Sequence, residues 1–385
     1  MAKKKRPPKT RTAFKKNYQS RRRPADLTRK FEQDTLDEES IKQRERVSGK
    51  GDMTRHRTIA GAHLSHDEDG LSVEMEFDDP TLLTGRVLRV HGLECVVRHN
   101  DSREYRCAVR QVLKSISTEQ RHVVAAGDIV VFRPEGQQGI ILAVRPRHGV
   151  LSRTSKGRRH ILVTNVDLII IVASAAQPDL KPHLIDRFLV TAEQAGLEPV
   201  IVINKADLVE PAELQPLVGV YAQMGYRTLL ASAEKQWGIQ ALKQIVAGRQ
   251  SVVTGQSGVG KSSLLNAIQQ GLGLRVQAVS SENMKGKHTT TTAELIPLEG
   301  SVGFDAGYLV DTPGIRQLEL WDVSPEEVAG LFRDIRPYVS RCRFPDCTHI
   351  HEIGCAVLEA VADGRIDPRR YNSYVHLLDD PSAAY

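Results

Sequence analysis

The run Gly255-Gln256-Ser257-Gly258-Val259-Gly260-Lys261-Ser262-Ser263 fits the phosphate-binding pattern G-x-x-x-x-G-K-[ST]. Its glycines let successive backbone N–H groups turn into one concavity, a fixed site for an anion. Lys261 is placed to reach the β- and γ-phosphates, which makes it a catalytic as well as a binding candidate. The Ser262 hydroxyl can complete a Mg²⁺ shell. The apolar lead-in Ser251–Thr254 reads as a strand. The periodic Ser263–Ile268 reads as a helix whose positive N-terminal end faces the anion.

A second motif selects the base. Asn204-Lys205-Ala206-Asp207 follows the apolar run Glu198–Ile203. The Asp207 carboxylate can accept from guanine N1–H and the exocyclic amine together. Adenine offers no such donor pair, so a carboxylate left unpaired would reject it. Asn204 can bridge toward N7 and tie down neighbouring loops, and the Lys205 stem can cover the base plane. Downstream, Ser232-Ala233 resembles a short loop whose backbone N–H meets guanine O6.

Two further segments address the γ-phosphate. Tyr308-Leu-Val-Asp311-Thr-Pro-Gly314 is a strand ending in D-x-x-G, with Asp311 for Mg²⁺ and the Gly314 N–H for the γ-phosphate. Between it and the glycine-rich loop lies Lys285-Gly-Lys-His288-Thr-Thr290-Thr291-Thr292, placed as a first switch. Thr290 is the favoured Mg²⁺ ligand, with Thr291 next to it. Ile315 occupies the position where Ras-like GTPases carry a water-orienting glutamine, and its side chain cannot hydrogen-bond. His288 is the candidate to orient water in its place. The motif order is unusual, because N-K-x-D and Ser-Ala precede the phosphate loop, first switch and D-x-x-G. The set is complete but circularly permuted, which chains tolerate when the original termini lie close together.

Near the C-terminus, Cys342, Cys347, His349 and Cys355 offer three thiolates and one imidazole within fourteen residues, a set suited to a structural Zn²⁺ ion. His351 competes with His349 as the nitrogen ligand. Arg341, Arg343 and His351 around the cluster could touch RNA.

These motifs need elements to hold them, and 385 residues exceed one core. Residues 1–80 form a basic arm expected to be largely disordered, with a short helix near Leu36–Arg46. Residues 81–150 carry five β-like runs: Thr84–Val90, Glu94–Arg98, Tyr105–Val109, Asp128–Phe132 and Gly139–Val144. They predict a small barrel of the OB (oligonucleotide-binding) type. Arg86, Arg89, Arg98, Arg103, Arg106 and Arg110 would suit either a phosphate-tracking face or an ordinary solvated one. Residues 151–320 alternate strands and helices as an α/β GTPase domain requires, and residues 321–385 read as a mostly helical zinc-binding domain ending in a polar tail. The fold class is therefore multidomain: barrel, permuted P-loop domain, zinc domain.

Composition of 40% hydrophobic and 26% charged residues indicates a soluble globular protein. The longest apolar run, Leu168 to Ala176, is far short of a membrane span, and no secretory leader is apparent. With five cysteines, three of them clustered, the chain is unlike a disulfide framework, and the expected compartment is the cytoplasm. Residues 1–30 hold thirteen Lys/Arg against one Asp, a net of +12 within an overall +6. A basic arm on a mildly acidic body points to nucleic acid.

The phosphate loop through Asn266, Gly286-Lys-His-Thr-Thr-Thr291, the permuted order and the Cys-x4-Cys-x-His-x5-Cys spacing together resemble the bacterial small ribosomal subunit biogenesis GTPases, the RsgA (YjeQ) family. The likeness covers roughly residues 81–375. It implies Cys342, Cys347, His349 and Cys355 as zinc ligands and a protein that binds the 30S subunit and its 16S rRNA; the chain is expected to be a monomer. It also implies hydrolysis of GTP to GDP stimulated by that subunit. A metabolic P-loop kinase or ATPase is disfavoured by N-K-x-D, Ser-Ala and the barrel. A nucleotide-gated RNA-binding protein with negligible turnover is the remaining alternative.

Overall fold

Alternation of apolar and polar residues gives each barrel strand one face to bury. A computed structural model describes residues 9–13, 56–60, 62–67, 70–75, 79–92, 94–109, 124–155, 158–269, 272, 293–298, 307–311 and 325–379. Strands β5 (Leu83–His91), β6 (Glu94–His99), β7 (Glu104–Val109), β8 (Ile129–Glu135) and β9 (Gln138–Val144) match the five expected runs to within a few residues. They close in the order β5–β6–β7–β9–β8–β5, with only β7–β9 parallel. This is the five-stranded barrel the sequence predicts. Val87, Val97, Tyr105, Val130, Phe132 and Ile141 fill its interior. Cys95 and Cys107 face each other across β6 and β7, both buried, and burial pushes the Cys107 thiol up to about 12. Cys107 is thereby an inert packing thiol at neutral pH. Gly85 is required where β5 crosses the barrel, since a Cβ there would lie 2.6 Å from Val97 Cγ1 and 2.8 Å from the Arg98 carbonyl.

Four short strands precede the barrel, within the arm that composition marks as largely unstructured. They are β1 (Lys9–Ala13), β2 (His56–Ala60), β3 (Ala62–Asp67) and β4 (Gly70–Met75). β1 pairs with β2, and the β3–β4 hairpin joins the barrel edge at one rung, Val73 opposite Val144. Backbone pairing at a barrel edge needs no core of its own, so hydrophobic periodicity does not mark it. The helix expected near Leu36–Arg46 lies outside the described residues.

A hairpin of β10 (Leu151–Ser155) and β11 (Arg158–Val163) links the barrel to an α/β layer. Its strands are β12 (Leu168–Ser174), β13 (Glu198–Asn204), β14 (Arg227–Leu230), β15 (Gln250–Thr254), β16 (Glu294–Pro297) and β17 (Tyr308–Asp311). Helices α1 (Pro182–Gln194), α2 (Pro211–Gln223), α3 (Ile239–Val246) and α4 (Lys261–Ile268) alternate with them. The strand order is β14–β13–β12–β15–β17–β16, parallel except for β16. All seven residues of β12 are buried, as a parallel strand covered on both faces demands. The chain steps outward from β12 to β14, then returns to place β15 on the other side of β12. Such a reversal opens a crevice at the carboxyl ends of β12 and β15, where ligands bind in α/β sheets.

The C-terminal segment is helical: α5 (Pro325–Leu331), α6 (Arg336–Val339), α7 (Ala356–Ala362) and α8 (Pro368–Asp379). The sequence reading does not single out the last of these. Its buried stripe is Arg370, Ser373, Tyr374 and Leu377, helically spaced but half polar, so the hydrophobic pattern hides it. α8 packs on α1, whose Val190 joins the core formed by Val328, Phe332, Ile335, Val357 and Tyr374.

Candidate nucleotide site and metal centre

The glycine-rich loop leaves the crevice end of β15, and α4 begins at Lys261. Gly255, Gly258 and Gly260 have φ of 139°, 81° and 90°. A Cβ at Gly255 would stand 2.1 Å from the Val172 carbonyl, and one at Gly260 would stand 2.3 Å from Asn204 Nδ2. These glycines let the loop press against β12 and the base-selecting loop at once. Lys261 Nζ donates to the carbonyls of Gly255 and Gln256, each at 2.6 Å, which holds the ammonium across the loop.

Asn204, at the end of β13 and 1% exposed, is the joint between three loops. Its Nδ2 donates to the Val259 carbonyl at 2.9 Å, and its Oδ1 accepts from the Ala233 N–H at 3.2 Å. One side chain thus ties N-K-x-D to the phosphate loop and to Ser232-Ala233, the loop-tying role the sequence suggests. Lys205 adopts a left-handed backbone, and its Nζ reaches the Gly258 carbonyl at 2.9 Å and the Gln177 carbonyl. The Ala206 N–H donates to Ala231 O at 3.0 Å, and Ser232, fully buried, accepts from the Lys235 N–H at 3.0 Å. Asp207 lies half-buried in the following 3-10 turn, Ala206–Leu208. Gln177 is a participant that sequence reasoning misses, since it acts through its carbonyl and any residue type could serve.

β15 and β17 are neighbours, with Val252 opposite Val310, so Asp311 and the start of α4 lie toward the same edge of the sheet. That placement, with a hydroxyl and a carboxylate as hard oxygen donors, suits Mg²⁺ chemistry. His288, Thr290, Thr291 and Gly314 lie outside the described residues.

The barrel arginines divide. Arg86 and Arg89 face the α/β layer rather than an open groove: Arg86 donates to Gln250 Oε1 at 2.5 Å, and Arg89 pairs with Glu294 at 2.6 Å. Arg103 and Arg106 are exposed beside Asp101 and Glu94, whereas Arg98 is half-buried. Arg110 lies outside the described residues.

In the C-terminal domain the ligand atoms of Cys342, Cys347, His349 and Cys355 lie within 4.8 Å of one another. Cys342 Sγ and Cys355 Sγ are 3.9 Å apart, and they stand 3.4 and 3.5 Å from His349 Nδ1. A tetrahedral ion with bonds of about 2.3 Å to sulfur and 2.0–2.1 Å to nitrogen requires about 3.8 and 3.6 Å. The donor set can hold a metal ion. His349 is buried, while the competing His351 is exposed. The loop is built for this: Tyr371 and Tyr374 hydroxyls donate to the carbonyls of His349 and Thr348 at 2.8 and 2.9 Å. Glu352 accepts from the N–H groups of Thr348, Ile350 and His351. Burial opposes ionisation of Glu352, but these bonds and the Thr348 hydroxyl outweigh it and hold the carboxyl below its usual range.

The RsgA GTPase family model matches residues 144–321. A small ribosomal subunit biogenesis GTPase RsgA from Sodalis glossinidius (strain morsitans) is 40% identical over 302 residues, 77% of this chain and 85% of its own length. One from Gemmatimonas aurantiaca is 44% identical over 263 residues, 67% of this chain and 84% of its own. The crystal structure of YjeQ from Thermotoga maritima superposes with a TM-score of 0.64 at 35% identity, covering 77% of this chain and 97% of that one. That of YloQ, described as a circularly permuted GTPase, gives 0.61 at 28% identity over 79% and 96%. Reached through a permuted set of loops gathered by Asn204, and matched by relatives over most of its length, the chain belongs to the RsgA family of circularly permuted GTPases.

Proposed function

We propose that this chain acts in late assembly of the small ribosomal subunit, binding the 30S particle and its 16S rRNA and hydrolysing GTP to GDP and phosphate in response. The observation that carries the nucleotide half is Asn204, which gathers the base-selecting loops and the phosphate loop into one crevice. The relatives' shared name, small ribosomal subunit biogenesis GTPase, supports the ribosomal half. In this reading Asp207 accepts from guanine N1–H and N2, the Lys205 stem covers the base, and an N–H of Ser232-Ala233 meets O6. The N–H groups of residues 255–263 cradle the phosphates, and Lys261 leaves its loop carbonyls for the β- and γ-oxygens. Ser262, Thr290 and Asp311 hold the Mg²⁺ that neutralises developing charge. Gly314 senses the γ-phosphate, and His288 orients the attacking water.

The cysteine–histidine cluster holds one structural Zn²⁺ as a closed four-ligand site. The basic arm adds phosphate affinity. No helix among the described residues is long and apolar enough to cross a membrane. A monomer working in the cytoplasm accords with this reading. The deciding experiment is GTP hydrolysis with and without purified 30S subunits. Stimulated turnover is the expected result. Equal and negligible turnover in both would leave a nucleotide-gated RNA-binding protein instead.

A further inference from the structure

One barrel strand touches all three strands on the phosphate side of the crevice. Near the start of β5, Arg86 donates to Gln250, the first residue of β15, and its guanidinium lies over the Tyr308 ring at the start of β17, 5.1 Å from the centroid. Gln250 is itself fixed, 2% exposed, with its Nε2 donating to the Thr164 carbonyl at 2.6 Å. Three residues further along β5, about 10 Å at strand rise, Arg89 opposes Glu294 of β16, both in the strand ladder and as an ion pair at 2.6 Å. β17 covers the same span, from Tyr308 to Asp311. The Arg86 contact therefore grips the base of this sheet, and the Arg89 contact grips the end that faces the nucleotide crevice.

The ladder around Asp311 gives the second contact its meaning. Among the described residues, β15 pairs with β17 through Tyr308, Leu309 and Val310. Among the described residues, Asp311 has one cross-strand partner, Glu294. Glu294 in turn is flanked on its other side by Arg89. The order across the sheet is Arg89, Glu294, Asp311.

We infer that Arg89 is a positioning residue for GTP hydrolysis, fixing through Glu294 the backbone at the strand end where Asp311, the residue proposed to hold Mg²⁺, is placed. Arg89 touches neither nucleotide nor metal. The inference rests on the proposed Mg²⁺ role of Asp311 and not on the ribosomal reading, so both tests below use the full chain without subunits.

The variants are Arg89→Glu, Glu294→Arg, the two together, and Arg89→Lys. The first readout is affinity for a fluorescent, hydrolysis-resistant GTP analogue as Mg²⁺ is varied; the second is the Mg²⁺ dependence of GTP turnover. Each single reversal should raise the Mg²⁺ concentration for half-maximal effect about fivefold, near the upper end of what a part-exposed ion pair carries. GDP affinity without Mg²⁺ should stay within about twofold of wild type by the same measure. The double swap and Arg89→Lys should return to within about twofold of wild type, since each restores opposite charges at the pair. A fall in the active fraction with unchanged Mg²⁺ dependence would show a merely structural contact and overturn the inference. So would a double swap no better than either single reversal.

Discussion

Replacing Arg370 by leucine should separate the C-terminal helical domain from the GTPase layer. Arg370 lies in α8 with its side chain 2% exposed. Its guanidinium pairs with Asp186 of α1 at 2.5 Å and with Asp334 at 3.0 and 3.2 Å, and it lies 4.6 Å from the centroid of Phe332. The Tyr221 hydroxyl completes the group by donating to Asp186 at 2.9 Å. Leucine retains apolar volume but leaves two carboxylates without a cation, one of them 1% exposed. Removing one partner of a buried ion pair costs about 3–5 kcal/mol, mostly as the penalty of the charge left behind. Burial already pushes the Asp186 carboxyl above its usual range, with Arg370 opposing the shift, so the substitution raises it further. A carboxyl raised on folding contributes stability that is present at low pH and lost as pH rises through its folded value. The deficit of Arg370→Leu against wild type should therefore be largest at neutral pH and shrink as acid protonates Asp186. Denaturation followed by hydrogen exchange in α1 and α8 measures it, with wild type compared at each pH so that metal loss cancels. A deficit below about 1 kcal/mol at pH 7, or one that grows on acidification, refutes the reasoning.

GTP and GDP should bind far more tightly than ATP, with Asp207→Asn shifting preference toward xanthine nucleotides; equal wild-type affinity for ATP would end the guanine assignment. Asn204→Ala removes two hydrogen bonds at a buried joint and should weaken GDP binding about tenfold or more by calorimetry. Metal analysis of gently purified protein should find about one Zn²⁺ per chain, lost in Cys342→Ser together with protection of α7 and α8. Deleting residues 1–30 should weaken RNA binding and flatten its salt dependence without altering GTP affinity; an unchanged slope would make the arm a solubility tail.

How far the sequence discloses this molecule depends on where its information is carried. Asn204, Lys261 and the glycines are legible because each does something only that residue type does: bridge two loops with one amide, carry a charge on a long stem, or accept a Cβ-free approach. The five barrel strands are legible because they bury one face each. α8 is not, because its inward stripe includes Ser373, which donates back to the Arg369 carbonyl, and Arg370, whose partners Asp186 and Asp334 lie far away in the chain. The same holds for Arg86 and Arg89. On the sequence they suit a phosphate-tracking face or a solvated one equally, and only the placement of β15, β16 and β17 shows what they hold. Gln177 contributes a carbonyl, which no residue type announces.

Circular permutation explains why the crevice is held from two sides. In this chain order β12 and β13, the strand that ends in Asn204, come first, and β15, β16 and β17 come last. The barrel precedes the first set in sequence and is bonded to Thr164 and Asn165 just ahead of β12, yet it also attaches through Arg86 and Arg89 to the last. The helical domain follows the last set in sequence, yet through Arg370 and Arg333 it attaches to Asp186 and Glu193 of α1, which joins β12 to β13. Each flanking domain thus reaches past its sequence neighbour to the opposite half of the sheet.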